Sequence, residues 1–378
     1  MEVYFDNAAT TRIRDEVVDE IKNCLLQTYG NPSSTHSFGR SAKAKLENSR
    51  KVIASYLNAS PQEIIFTSGG TESDNMLIKC AVKDIGVKTI ISSKIEHHAV
   101  LHTLDDLESS GINIKYVKIN NSGQVDFEDL ERLLKLDNSK KLVTLMYVNN
   151  EIGTILDIEK VGLLCKQSDS LFHTDAVQGV AHFKIDVEKN NIDFLSAAAH
   201  KFHGPKGVGF SFVRKNLGIN SFIFGGAQER GLRAGTEALP NIVGMEKAIS
   251  LSYDYLNKEK LYIQSIKDYF IESIKKIFPD VHFNGCSSDP DQSTYTLVNV
   301  AIPIIKKKTS LLDFQLDLKG IACSKGSACQ SGSNQGSHVL KEVQTSVHNE
   351  WPSLRFSFSS YNTIQEVDYL MNILKDFS

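Results

Sequence analysis

The chain has 378 residues, of which 41% are hydrophobic and 23% charged, and its formal net charge is −3. This length exceeds one small core and is typical of a two-domain globular protein. This net charge predicts no electrostatic attraction to nucleic acid or to an anionic membrane. No apolar run reaches membrane-spanning length. Six scattered cysteines, and a start without the layout of a signal peptide, favour the reducing cytoplasm as the compartment.

Short β-rich runs alternate with helical patterns through the first 250 residues. The runs with strand character are 64–66, 89–92, 114–117, 142–148, 171–174, 194–197 and 208–213. Helical patterns between them cover 73–83, 100–109, 127–136 and 158–167. The alternation predicts an α/β fold, with a mostly parallel seven-stranded sheet covered by helices on both faces.

The last third of the chain follows a different pattern. A long amphipathic helix is predicted from about Leu251, and strands at 297–302 and 354–359 then mix with helices. We therefore predict a large domain of residues 15–250 and a smaller α+β domain of residues 1–14 and 251–378. The stretch 324–337 is rich in Gly and Ser, which predicts a mobile loop.

Lys201 follows one of the predicted strands and precedes a Gly/Pro turn, while Asp175 ends the strand before it. A desolvated lysine amine suits Schiff-base chemistry, and an acid that can meet a pyridinium nitrogen suits pyridoxal 5′-phosphate (PLP). Taken alone, a lysine is more often a solvated surface residue, and Asp175 is equally suited to a helix N-cap.

Other polar residues also follow predicted strands. Gly70 and Thr71 lie in a strand-to-helix turn that can approach an anion, although Thr71 with Asp74 also fits a capping box. His97 can stack on an aromatic cofactor or move protons. Asn149 would place an amide at the rim of the sheet, with an ordinary turn residue as the alternative. Asp175 and Gln178 follow their strand together, close enough to address opposite sides of one ring.

Two residues near the end of the chain complete the candidate chemistry. Cys329 lies in the Gly/Ser-rich loop, where an exposed thiol is a plausible nucleophile. Arg355 lies near the start of an apolar run. A guanidinium in such a run implies a carboxylate partner from the protein or from a substrate.

These motifs together resemble the group I cysteine desulfurases of the NifS and IscS type, which are fold-type I PLP-dependent transferases of the aminotransferase class V branch. The resemblance runs nearly end to end, and its joint order is specific. The motifs that carry it are Phe5-Asp6-Asn7-Ala8-Ala9-Thr10-Thr11, Gly30-Asn31-Pro32-Ser33-Ser34, residues 68–75, Glu96-His97, residues 148–153, Asp175-Ala176-Val177-Gln178, His200-Lys201, residues 230–236, the Cys329 loop and Arg355.

The resemblance implies roles around a PLP ring. Lys201 is expected to carry the cofactor, and Asp175 to partner the pyridine nitrogen. Gln178 and Asn149 are expected near the ring oxygen, with His97 stacked on the ring.

The resemblance also implies how the cofactor phosphate is held. Gly70, Thr71 and His200 are expected to bind it, and Thr236 to reach the phosphate of the other subunit, which implies a homodimer. Ala198 stands where the family usually carries a serine that donates to this phosphate.

The implied activity is L-cysteine desulfuration. Arg355, with Asn31, is expected to bind the substrate carboxylate, and Lys201 to move protons. Cys329 is then expected to take the sulfur as a persulfide, with release of L-alanine. The expected acceptor is a protein such as an iron–sulfur scaffold or a sulfur carrier, including one for thionucleoside assembly. Selenocysteine lyase, class V aminotransferase and a non-catalytic sulfur carrier remain alternatives.

Overall fold

The computed structural model describes residues 1–304, 312–325, 336–344, 348 and 351–377. The helices in these ranges are α1 Asp15–Gln27, α2 Ser37–Tyr56, α3 Gly70–Lys83, α4 His98–Ser109, α5 Phe127–Leu134, α6 Ile158–Gln167, α7 Leu239–Asp254, α8 Leu256–Ile277, α9 Leu312–Leu318, α10 His338–Val343 and α11 Ile364–Leu374. The strands are β1 Val3–Tyr4, β2 Ile64–Thr67, β3 Thr89–Ser92, β4 Asn113–Tyr116, β5 Lys141–Thr144, β6 Leu171–Asp175, β7 Phe194–Ala198, β8 Gly209–Val213, β9 His282–Phe283, β10 Leu297–Ala301, β11 Ile321–Ala322 and β12 Ser353–Ser357.

Seven strands form one sheet in the order β2-β8-β7-β6-β5-β3-β4. Strand β8 pairs antiparallel with both of its neighbours, and the other pairs are parallel. Five of the strands, β2, β3, β5, β7 and β8, are buried at every residue, as expected for a sheet covered on both faces. The predicted α/β class and the mostly parallel seven-stranded sheet are confirmed.

Both faces of the sheet are covered. Along β2, Ile64 and Phe66 belong to one hydrophobic cluster and Ile65 to another. Since successive strand residues point to opposite faces, the two clusters lie on opposite sides of the sheet. The second of them is completed by residues of α3 and α4, such as Leu77 and Leu104. This packing leaves the ends of the strands as the place for polar residues.

A separate hydrophobic cluster joins the first residues of the chain to the last third. Phe5 contacts Phe356 and Phe358 edge to face, and Phe270 of α8 packs on the same two rings. A three-stranded antiparallel sheet, β12-β10-β9, runs through this cluster. The division into residues 15–250 and residues 1–14 with 251–378 stays a prediction.

Two predicted elements have different bounds in the structure. Strand β5 ends at Thr144 and not at residue 148. Leu145 and Tyr147 still donate to the carbonyls of His173 and Asp175, and Val148 then bridges back to Ile155. The helix predicted from Leu251 is two helices that meet at Tyr255, since an apolar period does not reveal a short break. Among the helices of the described ranges, none is both long and apolar enough to cross a membrane.

Candidate active site

A cavity of about 220 Å³ lies at the carboxyl edge of the large sheet. Its floor is built from residues that end strands: Asp175 ends β6 and Ala198 ends β7. The turn after β2 brings Gly70 to the same edge as the first residue of α3. Ligand sites of open α/β sheets lie at this edge, because parallel strands all present their carboxyl ends there.

Eight of the residues predicted from the sequence line the cavity. They are Gly70, Thr71, His97, Asp175, Gln178, His200, Lys201 and Arg355. Their roles toward a cofactor or substrate stay predictions, but the structure does bring these residues together around one cavity. The lining also includes Asp74 and Asn150, to which the sequence reasoning gave no role at a site.

Lys201 ends a short 3₁₀ turn that follows β7. Its Nζ donates to the carbonyl oxygens of Ala8 and Ala9, at 2.6 and 2.8 Å. The carbonyl of Ala8 also accepts from Nε2 of Gln178 at 2.9 Å. The opening segment of the chain therefore forms one wall of the site and holds the lysine amine beside the cavity.

Asp175 is 6% exposed and faces the same cavity. Burial raises the pKa of its carboxyl, while the N–H of Val177, donating at 3.0 Å, and the charge of Lys201 lower it. A buried carboxylate beside a lysine is suited to stabilise positive charge on a bound ring.

His97 caps the N-terminus of α4, with its Nδ1 accepting from the N–H of Ala99 at 3.1 Å. Burial lowers the pKa of this histidine to about 4, and the nearby charge of Lys201 adds to the effect. The ring is therefore neutral at neutral pH and presents an uncharged aromatic face to the cavity.

The opposite part of the lining is suited to an anion. A Cβ on Gly70 would come within 2.7 Å of Cγ2 of Val177, so only glycine fits at this start of α3. Thr71 supplies a hydroxyl, and Nδ1 of His200 lies 3.2 Å from Oγ1 of Thr10. Backbone N–H groups at a helix start favour a phosphate, so the donor set fits a phosphorylated cofactor.

Arg355 is 1% exposed on β12. Its Nη2 donates to Oδ1 of Asp6 at 2.8 Å, and its Nη1 to the carbonyl of Asn150 at 2.8 Å. Its Nε has no hydrogen-bond partner among the described residues. The guanidinium is therefore fixed at the cavity with donor capacity to spare.

Cys329 lies outside the described residues, as does most of the Gly/Ser-rich stretch predicted to be mobile. The residues on either side are held near the cavity. Ser324 pairs with the backbone of Arg355, Ser337 donates to the Glu151 carboxyl, and Nε2 of His338 bonds to the carbonyl of Glu96 at 2.9 Å.

Three predicted residues lie apart from this cavity lining in the described chain. Nδ2 of Asn149 donates to the carbonyl of Ile95, and its Oδ1 accepts from the next turn of backbone. Asn31 is exposed, with Oδ1 accepting from the N–H of Ser33, and Thr236 is exposed. Their predicted contacts with cofactor or substrate stay predictions.

The sequence reasoning missed two acidic side chains. Asp6 sits in the opening motif and pairs with Arg355. Its spacing from Thr71 predicts a capping box for Asp74, but α3 begins at Gly70, its N-cap Gly69 has no side-chain bond, and Asp74 faces the cavity. A signal was present, since Gly70 and Asp74 are four residues apart and share one face of the helix.

Comparisons with known proteins agree with this architecture. The family described as aminotransferase class-V matches residues 3–370. A cysteine desulfurase IscS from Dictyoglomus turgidum is 42% identical over 376 residues, which cover 99% of this chain and 94% of that protein.

Solved structures show the same likeness. A NifS-like protein superposes with a TM-score of 0.90 at 36% identity, covering 100% of this chain and 99% of the other. A structure of SspA in complex with cysteine gives a TM-score of 0.79 at 32% identity, covering 96% and 100% of the two chains. The chain therefore belongs to the class-V aminotransferase family, among the cysteine desulfurases of the IscS and NifS type, and the predicted family is confirmed.

Proposed function

We propose that the protein is a PLP-dependent L-cysteine desulfurase that converts L-cysteine to L-alanine and leaves the sulfur as a persulfide on Cys329. One observation carries the proposal: a single cavity joins the amine of Lys201, the buried carboxyl of Asp175 and the guanidinium of Arg355. The relatives named cysteine desulfurase, and the neighbour with bound cysteine, support the same activity.

The lining residues supply what a PLP site needs. When bound, PLP provides an electron sink for negative charge that develops on an amino-acid substrate. Lys201 would hold the cofactor covalently and Asp175 would face its ring nitrogen, with the neutral ring of His97 against the cofactor face. Gly70, Thr71 and His200 would hold the phosphate.

Arg355 would bind the substrate carboxylate. Its guanidinium is anchored through Asp6 and Asn150, so little side-chain entropy is lost when a carboxylate binds. We include Asn31 as a second contact, on the resemblance alone. The amine of Lys201, beside the same cavity, would take a proton from the substrate's α-carbon and return it during turnover.

Cys329 would receive the sulfur. Burial raises the pKa of each described cysteine, to about 12 for Cys80 and Cys323, so these thiols are poor nucleophiles. In the transfer, the Cys329 thiolate bonds to the substrate sulfur as the substrate C–S bond breaks. The carbon keeps that electron pair and takes up a proton, so L-cysteine and a thiol give L-alanine and a persulfide.

A homodimer and a protein sulfur acceptor are part of the proposal. Thr236 is exposed in a segment whose neighbour Arg233 bridges to Ile223. Ile223 and Phe224 are 37% and 79% exposed, and such apolar exposure beside a candidate phosphate ligand suits a subunit contact. The persulfide would then pass to an acceptor such as an iron–sulfur scaffold or a sulfur carrier.

The test is to incubate the purified protein with L-cysteine and measure sulfide, alanine and the mass of the Cys329 peptide. We expect equal amounts of alanine and transferred sulfur, and a gain of one sulfur atom on Cys329. Cys329→Ser should release no sulfur, and the matched variant Cys323→Ser should stay active.

Two outcomes would contradict the proposal. Amino-group transfer to a keto acid that persists in Cys329→Ser would identify an aminotransferase. A colourless protein that accepts persulfide but does not turn over cysteine would identify a sulfur carrier.

A further inference from the structure

Asp74 is a buried acidic group without a role in the proposed chemistry. It projects from α3 into the cavity and is 1% exposed. Its carboxyl, the ring of His97 and the carboxyl of Asp175 place ligand atoms within 4.8 Å of one another. Its Oδ1 has no hydrogen-bond partner in the described part of the chain. A bare carboxylate oxygen in such a place is costly.

The polar groups behind Asp74 are uncharged. Nε2 of His173 lies 3.6 Å from Oδ1 of Asp74 and 3.2 Å from Oγ of Ser196, and its Nδ1 lies 2.7 Å from Oγ1 of Thr144. His173, Ser196 and Thr144 are fully buried. Burial lowers the pKa of His173 to about 3, so this chain of side chains offers no positive charge to Asp74.

Asp175 and Asp74 differ in the groups that stabilise their ionised forms. Asp175 accepts the Val177 N–H and is favoured as an anion by Lys201. For Asp74, burial is the largest cause of a raised pKa and the charge of Asp175 is the next, while a side-chain hydrogen bond with Ser196 offsets them only in part. Two buried carboxyl groups this close, with one cation beside them, disfavour ionisation of both at once.

We propose that Asp74 and Asp175 form an acid pair with a single negative charge, in which Asp74 keeps the proton and so positions an ionised Asp175 toward a cationic ring nitrogen. Asp74 is then a positioning residue that acts through Asp175. The inference rests on the proposed function because that function supplies the cofactor ring. The location of the proton is a property of the two side chains and can be measured without the cofactor.

Infrared spectra of the purified protein in D₂O, recorded with cofactor and after its removal and compared as wild type minus variant in each state, report the proton directly. The carbonyl stretch of a protonated carboxylic acid should be present at neutral pH and be lost in Asp74→Asn. Glu96 is a second buried carboxyl with a raised pKa, so Glu96→Gln is needed to remove its band.

Cofactor binding gives a second readout. Asp74→Asn keeps an uncharged polar group and should hold PLP with a dissociation constant within about threefold of the wild type. Asp74→Leu removes the polar group and should weaken PLP by about tenfold and shift the pH profile of the bound cofactor's absorbance, with Asn restoring both. These magnitudes correspond to one hydrogen bond of about 1.4 kcal/mol.

The proposal is overturned if the acid band of a Glu96→Gln protein survives when Asp74→Asn is added. It is also overturned if Asp74→Leu and Asp74→Asn show the same affinity and pH profile as the wild type. If Asp74→Asn loses the band but the wild type does not turn over cysteine, the acid pair is retained and the desulfurase function is rejected. The two failures are therefore distinguishable. Melting temperatures of the variants identify any that fail to fold.

Discussion

The guanidinium of Arg355 donates from Nη2 to Oδ1 of Asp6 across 2.8 Å, at the wall of the cavity that also contains Lys201. Asp6 is 20% exposed at its side chain and Arg355 is 1% exposed. A substrate carboxylate that approaches Arg355 therefore meets a cation whose charge is already balanced. Asp6 fixes the guanidinium in place and at the same time competes with the substrate for it.

This competition predicts the effect of Asp6→Asn. The amide oxygen can still accept from Arg355, but the negative charge is gone, so a substrate carboxylate is bound more tightly. We expect KM for L-cysteine to fall by up to about tenfold, equivalent to about 1.4 kcal/mol, with little change in kcat. Steady-state kinetics test this; a raised KM would instead assign Asp6 purely to orienting Arg355.

Removing the guanidinium should have the opposite effect. A charge-assisted bond to a carboxylate contributes about 1.5–3 kcal/mol, so Arg355→Ala should raise KM about tenfold to a hundredfold. The absorbance of the bound cofactor should remain. Arg132→Ala, on the exposed side of α5, is the matched control and should behave as wild type. If cysteine titrates the spectrum of Arg355→Ala as readily as that of the wild type, Arg355 is only structural.

Much of the fold could be predicted because buried strands leave a plain signal. Segments such as 64–67 and 194–198 are mostly apolar and buried, and a polar residue follows each within two positions, so their positions are visible without a structure. The predicted ends that were wrong, at Thr144 and Tyr255, depend on long-range strand pairing and on a local helix break. The spacing of apolar residues along the sequence does not reveal either feature.

The candidate site was only partly visible for a similar reason. Residues that follow strands, such as Asp175 and Lys201, meet at one sheet edge by topology alone. Asp6 acts through a partner 349 residues away, and Asp74 has a local alternative as a capping residue. Contacts of that kind depend on packing between distant parts of the chain, which spacing along the sequence does not express.

The amine of Lys201 should be the point of cofactor attachment. Its Nζ is held by two backbone carbonyls beside the cavity, and a lysine Schiff base absorbs visible light. The wild type should therefore purify yellow and give a borohydride-stable adduct, and Lys201→Ala should give neither. Lys215→Ala, at an exposed position, should match the wild type. An unchanged adduct in Lys201→Ala would place the attachment elsewhere.

Glu96 should make stability depend on pH. Burial raises the pKa of its carboxyl to about 8 in the folded protein, against about 4.3 in an unfolded chain. The folded state then binds an extra proton between these values. The stability from Glu96 is complete below about pH 4 and is lost as pH rises to about 8, by up to about 1.4 kcal/mol per pH unit.

Replacing Glu96 by Gln should remove that dependence. The melting temperature of Glu96→Gln should gain on the wild type as pH rises from 5 to 8, and the difference should level off above that range. Glu108→Gln, at an exposed position of α4, should follow the wild type throughout. Parallel curves for Glu96→Gln and the wild type would show that the carboxyl titrates normally.

Ala198 provides the last test, because its methyl group lies in the cavity lining beside the anion-binding part of the site. It is 1% exposed, and a Cβ built on Gly70 would lie 4.0 Å from its own Cβ. A serine hydroxyl at this position would add a donor toward the phosphate of PLP, which carries nearly two negative charges.

One hydrogen bond to a charged group contributes about 1.5–3 kcal/mol, or about one to two decades in affinity. We therefore expect Ala198→Ser to slow the loss of PLP on dialysis and to lower its dissociation constant, while KM for cysteine stays the same, since Arg355 is unchanged. Ala197→Ser is a matched control, because the preceding strand residue points to the other face of the sheet; it should not tighten PLP. Equal PLP dissociation constants for Ala198→Ser and the wild type would mean that Gly70, Thr71 and His200 already satisfy the phosphate.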